Sequence, residues 1–162
     1  MKNPPEITLI LDRLRSAHNV GNIFRIAEGI RAKEIICCGY TPSPPHPKLA
    51  KTAMETDRMV PHRWCRSSLD AVRMLRREGV RQILAAEWNE ESVPVWRQEY
   101  QYPLAIVLGN EALGVSAETL AEVDGCIGIP MFGEKSSINV GNAAAAIVCA
   151  ILAKQDGDVT CG

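Results

Sequence analysis

The residues IGIPMFGEKSSINVGNAAAAIVCAILAK, Ile127 to Lys154, constrain the fold more than any other part of this chain. A short apolar run, Cys126 to Ile129, is ended by Pro130, and an alanine-rich run of helical length extends from Ile138 to Ala153. A strand must therefore give way to a helix across a short polar loop. Such a loop presents free backbone amides at a helix start, a place that suits a polar ligand. Ser136, Ser137 and Asn139 either cap that helix or offer polar atoms to the ligand. Gly141 and the alanines Ala143 to Ala146 leave a smooth surface for another backbone or a flat cofactor.

The rest of the chain alternates in the same way. Ile7 to Leu11 reads as a strand, and the polar loop DRLRSAHNVGN leads into an apolar-periodic helix from Val20 to Ala32. On that helix Arg25, Glu28 and Arg31 fall on the face away from Ile23, Phe24 and Ile30, where Arg25 and Glu28 can pair. Glu34 to Gly39 is a buried strand. The proline-rich stretch Tyr40 to Lys48 is a stiff loop, because proline lacks an amide donor. A short helix is expected from Leu49 to Thr56, an edge strand from Met59 to Cys65 and a capped amphipathic helix ending at Gly79. Gln82 to Glu87 and Pro103 to Gly109 are further strands, the second apolar enough to lie centrally. The expectation is an α/β fold, a mostly parallel sheet covered by helices, with ligands beyond the carboxyl ends of its strands.

Composition sets limits on function. The 162 residues fit one domain, 1–162. No apolar run approaches the roughly eighteen residues of a membrane span, and MKNPPEITL is no signal peptide, so a cytoplasmic protein without a membrane partner is expected. The six cysteines form no C-x-x-C pair, which argues for buried free thiols, Cys126 and Cys149 among them, and for no metal site. Net charge is −1, but residues 1–81 hold 15 Lys/Arg against 8 Asp/Glu and residues 82–162 hold 3 against 11. The first half is the one suited to a polyanion.

Three segments, NVGNIFR (Asn19 to Arg25), IVLGNEALGV (Ile106 to Val115) and IPMFGEKSSINVGNAAAA (Ile129 to Ala146), together resemble the SPOUT methyltransferases. Within that superfamily the chain is similar to the TrmH/SpoU branch of RNA ribose 2′-O-methyltransferases. The resemblance runs through nearly the whole chain, in the family's order. It implies a C-terminal trefoil knot, S-adenosyl-L-methionine bound in that knot, and a homodimer. It also implies cofactor contacts from Leu108, Gly109, Asn110, Ile129, Pro130, Met131, Ser137 and Ile138.

By the same resemblance Arg25, Glu111 and Asn139 are the catalytic positions, with Asn19, Asn22 and Arg25 toward the substrate. Methyl transfer to a 2′-oxygen needs alignment and the removal of one proton. Arginine is a poor base, its pKa lying above about 12, so Arg25 is expected to clamp phosphate and polarise the hydroxyl. Glu111 is expected to orient Arg25 or Asn139. Without an added substrate-binding domain or long basic tail, the chain is similar to the small enzymes of the superfamily that act at the tRNA wobble position. Transfer RNA is the first expectation and ribosomal RNA the second. Two alternatives remain, an RNA-binding member without activity and an enzyme methylating a base. GIPMFGEKS only superficially resembles a phosphate loop, since Glu134 separates the second glycine from Lys135.

Overall fold

A computed structural model describes residues 3–157. Seven strands, β1 (Ile7–Asp12), β2 (Glu34–Cys38), β3 (His62–Cys65), β4 (Gln82–Ala86), β5 (Val93–Pro94), β6 (Leu104–Leu108) and β7 (Gly125–Gly128), form one sheet. All its pairings are parallel, in the order β3-β2-β1-β6-β4-β7-β5. The α/β expectation therefore holds, with the apolar strand β6 at the centre of the sheet.

The strands read as continuous apolar runs because both sheet faces are covered. Leu9 of β1 lies beside Ile35 of β2 and Ile106 of β6, and all three point toward α1 (Ala17–Gly29), α2 (Pro47–Ala53) and α6 (Val140–Gly157). Ile10, Ile36 and Val107 point the other way, toward α4 (Ser68–Arg77). The short helices α3 (Thr56–Met59) and α5 (Ala117–Leu120) complete the layers. Each fully buried Leu, Ile or Phe contributes about 1.5–3 kcal/mol, so the fold rests on these two faces.

Local chemistry decides several boundaries differently from the sequence pattern. The helix after β1 starts at Ala17, three residues earlier than periodicity suggests, because the Ser16 side chain accepts from the Asn19 amide and caps it. Pro47 belongs to α2 rather than to the preceding loop, since a proline at the first helical turn needs no amide donor. A single helix from Leu49 to Thr56 does not form. Met54 and Glu55 take left-handed conformations, φ 53° and 70°, and divide it into α2 and α3, so the edge strand begins at His62 rather than Met59. The final helix begins at Val140, not Ile138. Two elements had no sequence signal of useful length, the two-residue edge strand β5 and the four-residue α5.

Cys37 and Cys38 are buried as expected, but Cys126 is half-buried and Cys149 is exposed. An alanine-rich helix has apolar residues on every face, so apolarity alone did not say which side packs inward. Cys161 lies outside the described residues. Among the described residues no group of three or more His, Cys, Asp or Glu could hold a metal ion, and no helix is long and apolar enough to cross a membrane.

Candidate active site

The carboxyl ends of β4, β6 and β7 surround a cavity of about 620 Å³. Its position follows from topology, since these ends gather beside the β1–β6 boundary where strand order reverses. Three sequence segments meet there. The loop after β6 contributes Gly109 to Gly114, the chain after β7 contributes Ile129 and Met131, and the approach to α6 contributes Ser136 to Val140.

The loop after β6 is built around Asn110. Its side-chain oxygen accepts from the amides of Ala112 and Leu113 at 2.8 and 2.9 Å, and its amide nitrogen donates to the Arg13 carbonyl at 2.6 Å and to the Tyr40 hydroxyl at 3.1 Å. Arg13 itself stands at φ 55°, a strained conformation for a non-glycine residue, directly after β1. Asn110 is thus buried with its side chain fully engaged, and its backbone N–H and C=O pair with Gly114 at 3.1 and 2.9 Å, which closes the loop on itself at the cavity wall. Gly109 has no room for a side chain: an added Cβ would lie 2.5 Å from the Gly114 carbon and the Val115 nitrogen.

Glu111, on the same loop, reaches across to the start of α1. Its carboxylate accepts from the backbone amides of Arg15 (3.0 Å) and Ser16 (3.2 Å) and from the Asn19 side-chain amide (3.2 Å). Asn19 in turn accepts from the Asn139 side-chain amide at 3.0 Å. A carboxylate, an amide and a second amide are therefore linked across the lip of the cavity. Partial burial pushes the Glu111 pKa up, but the amides of Arg15 and Ser16, the loop's own backbone and the Asn19 side chain outweigh it, and the net shift is downward. Glu111 is ionised at neutral pH, and it lies where the amino end of α1 favours negative charge.

Asn139 serves two purposes. Its side-chain oxygen accepts from the amides of Gly141 (2.9 Å) and Asn142 (3.2 Å), capping α6, while its nitrogen holds Asn19. The cap and the site residue, alternatives in the sequence, are one residue here. Asn22 packs against the same turn, since a Cβ at Gly141 would come within 2.7 Å of its amide nitrogen.

Of the expected cofactor residues, Leu108, Gly109, Asn110, Ile129, Met131, Ser137 and Ile138 line the cavity, together with Glu111 and Asn139; Pro130 flanks it without lining it. Arg25 lies elsewhere. It is exposed on α1, one turn beyond Asn22, and forms neither the expected pair with Glu28 nor a contact with Glu111. Glu111 orients Asn139 through Asn19, not Arg25. Among the lining residues outside the expected set are Glu87 and Trp88, directly after β4. Glu87 accepts from the Val115 amide at 2.5 Å and so fixes the far side of the loop. Its signal was an acidic residue directly after the apolar run ILAA, at the end of a strand where ligands are expected.

A parallel α/β sheet with a ligand-sized cavity at its carboxyl edge, lined by a few polar groups among small and apolar side chains, is the arrangement in which such sheets bind small molecules. Residues 6–149 match the SpoU rRNA Methylase family, and the chain belongs to it. It is 31% identical over 147 residues to the tRNA (guanosine(18)-2′-O)-methyltransferase of Escherichia coli, a match that covers 91% of this chain and 63% of the relative. The enzyme of the same name from Thermus thermophilus is 30% identical, with 91% and 74% covered. The chain thus spans less than two thirds of the length of the Escherichia coli relative. Among solved structures, the AdoMet-bound rRNA methyltransferase from Sinorhizobium meliloti superposes with a TM-score of 0.82 at 28% identity, over 91% of this chain and 56% of that one.

Proposed function

We propose that this protein is an S-adenosylmethionine-dependent RNA ribose 2′-O-methyltransferase, acting on tRNA in preference to rRNA. The observation that carries the reading is the Glu111–Asn19–Asn139 chain, which ties the first family segment to the lip of a cavity walled by the second and third. The relatives named as tRNA methyltransferases support the order of substrates.

The cavity fits the cofactor by its chemistry. Leu108, Ile129, Ile138 and Ile147 give apolar walls for a flat base, loop backbone from Gly109 and from 129–131 gives hydrogen-bonding edges, and Glu87 and Glu111 supply negative charge beside a cationic ligand. Bound there, S-adenosylmethionine supplies an electrophilic methyl group on a sulfonium. Gly109, Asn110, Ile129, Pro130, Met131, Ser137 and Ile138 hold it, mainly through backbone. Asn139 and Asn19, fixed in orientation by ionised Glu111, hold the ribose at the lip. Arg25, with its five donors and no carboxylate partner among the described residues, grips the adjoining phosphate and polarises the 2′-hydroxyl. Arg25 does not line the cavity of its own subunit, and the reading includes a homodimer in which it completes the partner's site. The reading includes a trefoil knot around the cofactor loops and a cytoplasmic setting.

Calorimetric titration of the purified chain with S-adenosylmethionine tests the cofactor part. Binding that is lost when Gly109 is replaced by a bulky residue is expected; a folded sample that does not bind at millimolar ligand contradicts it.

A further inference from the structure

Two aromatic rings stand exposed around the stretch after β2, which meets the cavity loop at Asn110, with their polar handles already engaged. Tyr40 is 58% and Trp64 59% exposed. The Trp64 indole donates to the Gly39 carbonyl at 2.9 Å, and the Tyr40 hydroxyl accepts from Asn110 at 3.1 Å. Trp64 is thereby anchored to the stretch after β2, to which Tyr40 belongs, and Tyr40 to the loop after β6, while much of each ring faces solvent. Tyr40 joins this stretch to the loop that lines the cavity.

The surroundings are cationic. Alternation along β3 puts Trp64 on the same face as His62, whose ring meets Phe24 of α1 edge-on at 5.7 Å, so Trp64 emerges on the α1–α2 side of the sheet. On that side Arg15, Lys48 and Lys51 are exposed and have no carboxylate partner among the described residues. Thr52 on α2 donates to the His18 carbonyl at 3.3 Å, which holds the α2 lysines close to the start of α1. The opposite side differs. Arg73 and Arg76 on α4 are bound to Glu122 and Asp124, so the basic excess of the first half is neutralised there by the acidic second half.

We infer that Tyr40 and Trp64 form a stacking platform for unpaired RNA bases beside the methylated nucleotide, with Arg15, Lys48 and Lys51 taking the phosphates. The inference rests on the RNA reading above and adds the form of the substrate: a single-stranded loop, whose base faces are free to stack, rather than a duplex, whose faces are hidden. The flanking cations match a polyanionic strand better than an apolar protein partner.

The test is fluorescence anisotropy with a labelled RNA hairpin carrying a long unpaired loop, and with the same strand annealed to its full complement. Stacking is worth about 1–3 kcal/mol per base, so Trp64→Ala and Trp64→Leu should each weaken hairpin binding roughly tenfold. Trp64→Phe, which keeps a π-face, should stay within about threefold of the parent. Duplex binding and the salt slope should be unchanged in all three. Lys48→Ala should weaken both RNAs and reduce the salt slope by about one. Trp64→Leu guards against a folding defect in the alanine variant, and the melting temperature of each is recorded. Equal losses on hairpin and duplex, or no loss in either Trp64→Ala or Trp64→Leu, overturn the platform. So does dissociation of a dimer by Trp64→Leu with RNA binding intact, which assigns the ring to a second copy of the chain. If the unmodified protein binds neither RNA, the RNA reading itself has failed; a platform failure leaves hairpin binding in place.

Discussion

Glu111 and Arg25 carry different burdens, and single substitutions separate them. Every hydrogen-bond partner of Glu111 is a donor, so Glu111→Gln presents an amide hydrogen to amide hydrogens and should loosen both the start of α1 and the Asn19–Asn139 link. Methyl transfer should fall about a hundredfold, with a smaller change in cofactor affinity. The pH dependence of stability follows from the sign of the shift. The folded pKa of Glu111 is lowered, so the unfolded state binds more protons near the carboxylate range. The contribution is fully present above the unfolded value of about 4.3 and is lost as pH falls through the folded one. Chemical denaturation between neutral pH and pH 3 should show a shallower acid loss in Glu111→Gln than in the parent. For Arg25, both Arg25→Lys and Arg25→Ala should reduce single-turnover methylation by about a hundredfold or more, since lysine keeps charge but not the forked geometry, while calorimetric cofactor affinity stays unchanged. Near-normal turnover in Arg25→Ala removes Arg25 from the reacting ribose.

The loop from Gly109 to Val115 has two backbone segments in contact with no side chain between them. Gly109→Ala places a Cβ 2.5 Å from Gly114 and Val115, so the backbone must move; a destabilisation of about 1–3 kcal/mol and a loss of cofactor affinity of at least tenfold are expected from thermal melts and calorimetry. That the loop sits at a strand end was readable from the apolar run PLAIVLG followed by polar residues, and so were most strands and the three long helices, because burial on both sheet faces writes itself as unbroken apolar runs. Boundaries set by local hydrogen bonds were less legible. The Ser16 cap moved α1, and left-handed Met54 and Glu55 split α2 from α3, where the sequence shows neither glycine nor asparagine to announce a break. The link between Glu111, Asn19 and Asn139 spans sequence separations of 92 and 120 residues; the residue types pointed to a site, but only the folded chain shows which of them touch.

At the scale of the whole molecule, the charge division of the sequence resolves into two surfaces. Arg73 and Arg76 are held by Glu122 and Asp124, whereas Arg15, Lys48 and Lys51 on the α1–α2 side have no carboxylate partner among the described residues, so RNA is expected there. The proposed homodimer is tested by light scattering at micromolar concentration, which should give twice the mass of the 17.7 kDa chain; a monomer would count against a shared site. The measurement closest to the central claim is the identity of the product. The purified protein is incubated with S-adenosylmethionine labelled on its methyl group and with unmodified tRNA, which is then digested to nucleosides and resolved by mass spectrometry. The account predicts label on a ribose 2′-O-methyl nucleoside, lost in Arg25→Ala. Label on a base, or no labelled nucleoside from a protein that binds both cofactor and RNA, would contradict it.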